Sequence, residues 1–504
     1  MTRIISIVIR AKLTSLLLTA ALPFAFVAIG GSAASAQPAP PPDSFYDTPP
    51  DLAAATPGSV LKSRPVDVKQ LQLLPLNVTA WQLLYRTTAA DGSPYAAVTT
   101  VMIPRGPAKP RPLLSYQSAT DATLRVCNPS YGLTSGLPID FSSPAGPLPL
   151  ATGAAEVALA AAGLEQGWAV AMPDHGGNDN RFLTPRQPGY AVLDGVRAAE
   201  AFQPLGLTAG AQTPVGLMGY SGGAVASSWA VELQREYAPE LNIAGAAFGA
   251  PERDLAASVQ SVNATPLAGL IPLALAAIGK DDPAFVAKVR SVSTPEGEAK
   301  MNEAANHCLA QNVASNLWFD FRNYLKQPLD VVLQDPAIKN ALTERGISGK
   351  VPMAPVYIYN GVTEEVNPIE VADRLTDSYC KGGAAVTYRR EDFPPRPLPQ
   401  LMTTHGVVQG TGGFAAFAWL KDRLSPNAPK LSGCDIKTVP TSLVTPESVS
   451  VLGPSFIGNI VLAAFGQPIG SGRCPLRHGP ARRATKLAAA ERCLRERRPL
   501  RPMR

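Results

Sequence analysis

Histidine is scarce, with four residues in 504, and the six cysteines form no Cys-x-x-Cys pair and no Cys/His spacing of the kind that holds zinc. A zinc module is therefore not expected. Charged residues make up only 17% of the chain and are unevenly placed. The net +6 comes from the ends, with +3 in residues 1–36 and +9 in residues 473–504, which leaves −6 for residues 37–472. A mildly acidic body gives no reason to expect nucleic-acid binding. No internal repeat is found. Apolar residues are abundant, at 46%, enough for a large core and more than one structural unit.

The first 36 residues read as a secretory signal. Arg3, Arg10 and Lys12 precede an apolar run from about Leu13 to Gly30, and Ala34-Ser35-Ala36 offers a cleavage site. The rival reading is an uncleaved membrane anchor. Cleavage near Ala36 predicts a secreted or envelope protein, where an even number of cysteines points to disulfides, although their pairing does not follow from the count. Cys474 and Cys493 fall in the basic tail, 473–504, read either as a disordered extension or as a dock for an anionic envelope surface.

Between the ends, the division expected is a proline-rich extension (37–62), a first core segment (63–253), a helical lid or cap insertion (254–349), a second core segment (350–434) and a C-terminal flap (435–472). Residues from Trp81 onward alternate strand-like and helix-like stretches, which predicts a mostly parallel α/β sheet. A turn at Ala89-Ala90-Asp91-Gly92 predicts a hairpin. The last helix is expected near Gly413 to Arg423.

The sharpest motif is Gly219-Tyr220-Ser221-Gly222-Gly223, a G-x-S-x-G nucleophile elbow. Its serine must stand on a strained strand-to-helix turn, with small neighbours to avoid backbone clashes. Apolar Val215-Gly216-Leu217-Met218 precedes it and a helix-forming run follows, so the context fits. Such a serine needs a base. His405 follows the last expected strand and precedes the last expected helix, where that base belongs. His307, beside Cys308, is read as structural, and His478 lies in the tail. His175, in Pro173-Asp174-His175-Gly176-Gly177, is read as part of a polar loop in preference to an HGGG-type oxyanion loop. The acid that orients His405 is sought after Val356-Tyr357-Ile358-Tyr359, with Glu364, Glu365 and Asp373 as candidates.

From about Phe45 to Leu424 the chain resembles the secretory lipases of the yeast lipase A type, an α/β-hydrolase family with bacterial members. The resemblance rests on Ser115-Tyr116-Gln117 with Asp121 and Cys127 behind it, on Leu193-Asp194-Gly195-Val196-Arg197-Ala198, and on the elbow. Glu364-Glu365-Val366-Asn367-Pro368 and Cys380-Lys381-Gly382-Gly383 complete it. It implies a triad of Ser221, an acid at position 364 and His405. It also implies an oxyanion hole from the N–H groups of Asp121 and Gly222, a lid, and disulfides Cys127–Cys308 and Cys380–Cys434. The chain departs from the family pattern in having Glu364 where aspartate is usual, in Asn360-Gly361 and Thr363, and in the proline-rich approach to His405.

These readings predict a lipase or esterase acting on lipid esters through an acyl-enzyme, without metal or organic cofactor. Two rivals remain: an acyltransferase or peptidase on the same fold, and a secreted binding protein that has lost catalysis.

Overall fold

In a computed structural model, residues 43–106, 110–136, 151–393, 403–451, 459, 462–463 and 466–470 are described. The signal and tail regions, with Cys474, Cys493 and His478, lie outside them, as do residues 394–402 of the approach to His405.

Twelve strands are present among the described residues: β1 (Val60–Val66), β2 (Lys69–Gln70), β3 (Leu74–Pro75), β4 (Val78–Thr88), β5 (Pro94–Pro104), β6 (Leu113–Gln117), β7 (Ala169–Pro173), β8 (Val215–Tyr220), β9 (Ile243–Gly249), β10 (Val356–Gly361), β11 (Val386–Glu391) and β12 (Cys434–Val439). Ten of them form one sheet in the order β1-β4-β5-β7-β6-β8-β9-β10-β11-β12. The first three pairings are antiparallel and the rest parallel. Every residue of β6, β7, β8 and β10 is buried. That is the expected state of parallel strands covered on both faces, and it explains their continuous apolar sequences.

The flanking helices are α1 (Pro129–Gly132), α2 (Thr152–Glu165), α3 (Gln187–Ala201), α4 (Gly222–Tyr237), α12 (Ile369–Lys381), α13 (Thr404–Arg423) and α14 (Pro446–Val451). Between β9 and β10 lie α5 (Leu255–Val262), α6 (Leu270–Gly279), α7 (Pro283–Val292), α8 (Pro295–Ala304), α9 (Leu309–Ser315), α10 (Leu329–Gln334) and α11 (Pro336–Glu344). Val192, Val196, Trp229 and Leu375 from α3, α4 and α12 pack on one sheet face. Val157, Leu164, Val408 and Phe417 from α2 and α13 pack on the other. This arrangement is the α/β-hydrolase fold.

The α5–α11 insertion has its own apolar centre, including Phe285, Val289, Met301, Val332 and Ile338. Its two stems are clamped together. The fully buried Arg253 donates to Ser228 Oγ (2.8 Å), Glu232 Oε2 (3.0 Å) and the Gly346 carbonyl (2.7 Å from Nη2). Glu232 also accepts from Tyr379 and Ser348, both at 2.6 Å. Every strong donor and acceptor in this buried cluster is matched, as burial of an ion pair demands.

Two disulfides are formed, Cys127–Cys308 and Cys380–Cys434. The first joins the segment after β6 to the insertion across 181 residues of sequence. Cross-linking so long a loop restricts the unfolded chain strongly, so Cys308→Ser is expected to lower stability by about 2–5 kcal/mol. Denaturant titration under non-reducing conditions checks this; an unchanged midpoint would show that the bond contributes nothing.

Two elements depart from the sequence expectation. Residues 434–439, expected partly in a flap, form edge strand β12, paired with β11. Its residues Cys434–Thr438 are exposed, so they lack the apolar alternation that betrays a half-buried strand. The last helix starts at Thr404, not near Gly413. Gly406, Gly410, Gly412 and Gly413 weaken its intrinsic helix signal, and tertiary contacts supply the rest.

Candidate functional site

The elbow is built where β8 meets α4. Ser221 sits at φ 54°, ψ −124°, a strained geometry for a residue with a side chain. Its N–H donates to the Gly249 carbonyl at 2.9 Å, which ties the turn to β9. Small neighbours are obligatory here. A Cβ on Gly223 would lie 2.0 Å from the Gln117 carbonyl oxygen, and one on Gly222 would lie 1.8 Å from Asp121 Oδ1.

His405 stands in the first turn of α13. Thr403 caps that helix, accepting the Gly406 N–H at 3.1 Å. The Glu365 carboxylate accepts the N–H groups of Thr404 (2.7 Å) and His405 (2.9 Å). A negative group at a helix N-terminus satisfies unpaired donors and opposes the positive end of the dipole. The His405 ring meets the other acid: Nδ1 lies 2.7 Å from Glu364 Oε1. Glu364 is held in turn by the N–H groups of Val366 (2.9 Å) and Asn367 (3.3 Å). The two adjacent glutamates thus have separate positions, one against the imidazole and one under the helix. Asp373 is engaged elsewhere, with Tyr388 and Arg390.

Tyr220, the variable residue of the motif, fixes the histidine from below. Its hydroxyl donates to the His405 carbonyl at 2.7 Å, and the two rings lie 4.9 Å apart. Burial opposes a charged His405, but Glu364, Glu252 and Glu365 outweigh it and raise its pKa to about 9.

Asp121 is fully buried beside Gly222, and burial raises its pKa to about 6. Its Oδ1 has no hydrogen-bond partner among the described residues. The loop that carries it is held from two sides. His175 Nε2 donates to the Ser118 carbonyl at 2.7 Å, and Glu156 of α2 accepts the Ala119 N–H at 3.0 Å. His175 therefore braces this loop from beneath. His307 is buried beside the Cys127–Cys308 bond, inside the insertion.

One site residue was not anticipated from the sequence. Ser221 Oγ donates to Glu252 Oε1 at 2.9 Å, and no hydrogen bond joins Ser221 to His405 among the described residues. Burial is the main cause that raises the Glu252 pKa to about 8. Glu252 follows Gly249-Ala250-Pro251 at the end of β9, next to the elbow strand. Its position after a strand neighbouring β8 was the available signal. No motif marks it. Among the described residues, no group of three or more His, Cys, Asp or Glu is arranged to hold a metal ion.

An elbow serine at the carboxyl end of β8, an imidazole–carboxylate pair beside it and a ten-stranded, mostly parallel sheet define the class: an α/β-hydrolase of the lipase type. The secretory lipase family model matches residues 145–433, and the chain belongs to that family. It is 37% identical over 388 residues to a probable inactive lipase of Mycobacterium tuberculosis, covering 77% of this chain and 82% of that one. It is 33% identical to a secreted triacylglycerol lipase of Malassezia globosa, covering 79% and 84%. The crystal structure of Candida antarctica lipase A in its closed state superposes with a TM-score of 0.69 at 27% identity, over 86% of this chain and 99% of that one. Family and fold together put the chain among the carboxylic ester hydrolases.

Proposed function

We propose that the chain hydrolyses lipid esters outside the cytoplasm through an acyl-enzyme on Ser221, with His405 as the base and Glu364 as the acid that orients it. The observation that carries this reading is the 2.7 Å contact between Glu364 and His405 beside the elbow. The carboxylate fixes Nδ1 as the protonated nitrogen, which turns Nε2 toward the serine, and it stabilises the imidazolium that forms.

Ser221 attacks the ester carbonyl as His405 takes its proton. The N–H groups of Asp121 and Gly222 receive the oxyanion at the N-terminal end of α4. His405 then protonates the leaving alcohol, and water repeats the sequence to free the acid. Glutamate is one methylene longer than the aspartate usual at position 364, and the Val366 and Asn367 N–H groups hold its carboxylate at the required distance. Secretion follows from the signal reading of residues 1–36, with cleavage near Ala36.

A second reading, a binding protein without turnover, draws on the hydrogen bond that directs the Ser221 hydroxyl at Glu252. One experiment separates the two. The mature protein is treated with a fluorophosphonate probe and assayed on p-nitrophenyl esters of increasing acyl length. The expected result is labelling of Ser221 with hydrolysis extending to long chains. Activity confined to short chains would make it a carboxylesterase. An unlabelled, folded protein would overturn the hydrolase reading, and preferential transfer to an added alcohol or amine would make it an acyltransferase.

A further inference from the structure

That mechanism leaves one buried acid of the site without a role. Glu252 touches the nucleophile directly, 2.9 Å from Ser221 Oγ. The ionisable groups facing it are Asp121 from the loop after β6, His405 from α13 and Glu364 from the loop after β10. Three of the four groups in this cluster are acids. The neighbouring Arg253 does not neutralise them, because its guanidinium is turned to Ser228, Glu232 and the Gly346 carbonyl. The same anchor fixes the chain at residue 253, so Glu252 is held against the serine by a rigid, fully paired cluster.

Resting on the serine-hydrolase reading of this site, we propose that Glu252 is a latch on the nucleophile: its carboxylate holds the Ser221 hydroxyl that catalysis needs His405 to hold. The physical case has two parts. An ionised Glu252 accepts the serine proton in a hydrogen bond and draws Oγ away from the imidazole. It also puts a negative charge beside the place where the oxyanion forms, which opposes the transition state. One proton moves between two positions. On Glu252, it neutralises the latch and leaves His405 a free base. On His405, it leaves a carboxylate gripping the serine and no base to use. The raised pKa values of Glu252, about 8, and His405, about 9, lie close together and place the division of that proton above neutral pH.

The sign of the pH effect follows. Glu252 is one of the carboxylates that keep the proton on His405, so removing its charge lets His405 deprotonate at lower pH. In Glu252→Gln, which keeps an acceptor oxygen but no charge, the acidic limb of kcat/KM should move down by about one pH unit. Rates on that limb should rise roughly tenfold. Glu252→Ala should show the same shift. The assay is ester hydrolysis from pH 5 to 10, with fluorophosphonate labelling and thermal melting alongside. A folded variant with an unshifted profile, or with activity lowered tenfold or more, overturns the latch. Should the variants unfold, the wild-type profile decides: an acidic limb centred above 6.5, the ordinary histidine value, is expected, and one at or below 6.5 overturns it. If folded wild type and variants all fail to label, the hydrolase reading falls and the latch falls with it.

Discussion

Ser221→Ala is expected to lower kcat for ester hydrolysis by about a million-fold, the loss seen when a triad nucleophile is removed, while leaving the chain folded. The size of the effect comes from chemistry: without Oγ there is no acyl-enzyme, and His405 has no hydroxyl to activate. Folding should survive because the main-chain anchors of the elbow do not involve Oγ. The Ser221 N–H still reaches the Gly249 carbonyl, and its own carbonyl still accepts the Val225 N–H at 3.0 Å. Alanine inherits the positive φ without adding bulk. The one loss is the donor to Glu252, a cost of about 1–3 kcal/mol for a buried acceptor left unpaired. Steady-state rates with a circular-dichroism melt check both halves, and a mutant that turns over near the wild-type rate would remove Ser221 from the mechanism.

Glu364→Gln is expected to cost about ten-thousand-fold in kcat, with Glu365→Gln within a few-fold of wild type. The two carboxyls are adjacent, Glu364 buried and Glu365 half-buried, yet they do different work. Glu364 faces Nδ1, and an amide there no longer enforces the productive tautomer or stabilises the imidazolium, which is the known effect of an acid-to-amide change in a triad. Glu365 faces two helix N–H groups, one on each oxygen, so its amide keeps one acceptor and loses the other along with the charge at the N-terminal end of α13. That should appear as about 1–3 kcal/mol of stability and little change in rate. Parallel kinetics and denaturant titration of the pair make the comparison. If the large rate loss fell on Glu365→Gln instead, the roles assigned to the two acids would be reversed.

The contrast between these glutamates shows where sequence reading ends. Local pattern located the loop, because Val356-Tyr357-Ile358-Tyr359 is a buried strand whose carboxyl end lies at the same edge of the sheet as the elbow, one strand away. It did not decide between two neighbouring acids, since that choice depends on where α13 begins. The start of α13 is set by Thr403 and by Glu365 itself, both invisible to a periodicity argument. The elbow was legible for the opposite reason: its glycines answer steric demands that no other residue meets, so the constraint is written in the local sequence. Glu252 was not legible, since an acid after a buried strand is unremarkable until two strands of the sheet bring it to the serine. Strand β12 escaped because it contributes hydrogen bonds to the edge without contributing apolar burial.

The bond between Cys127 and Cys308 has a mechanical consequence. Cys127 lies six residues beyond Asp121, and the intervening chain is gripped twice more by the insertion. Thr123 Oγ1 donates to the Ala305 carbonyl at 2.7 Å, and Lys280 Nζ donates to the Thr123 carbonyl at 2.9 Å. Any displacement of α6 or α8 therefore pulls on the strap that carries Asp121. The insertion behaves less like a door swinging on its stems than like a lever bolted to the loop that carries Asp121. Oxidation completes the linkage, so a chain folded in a reducing compartment would keep every atom of the site and lose the bolt that couples the two parts.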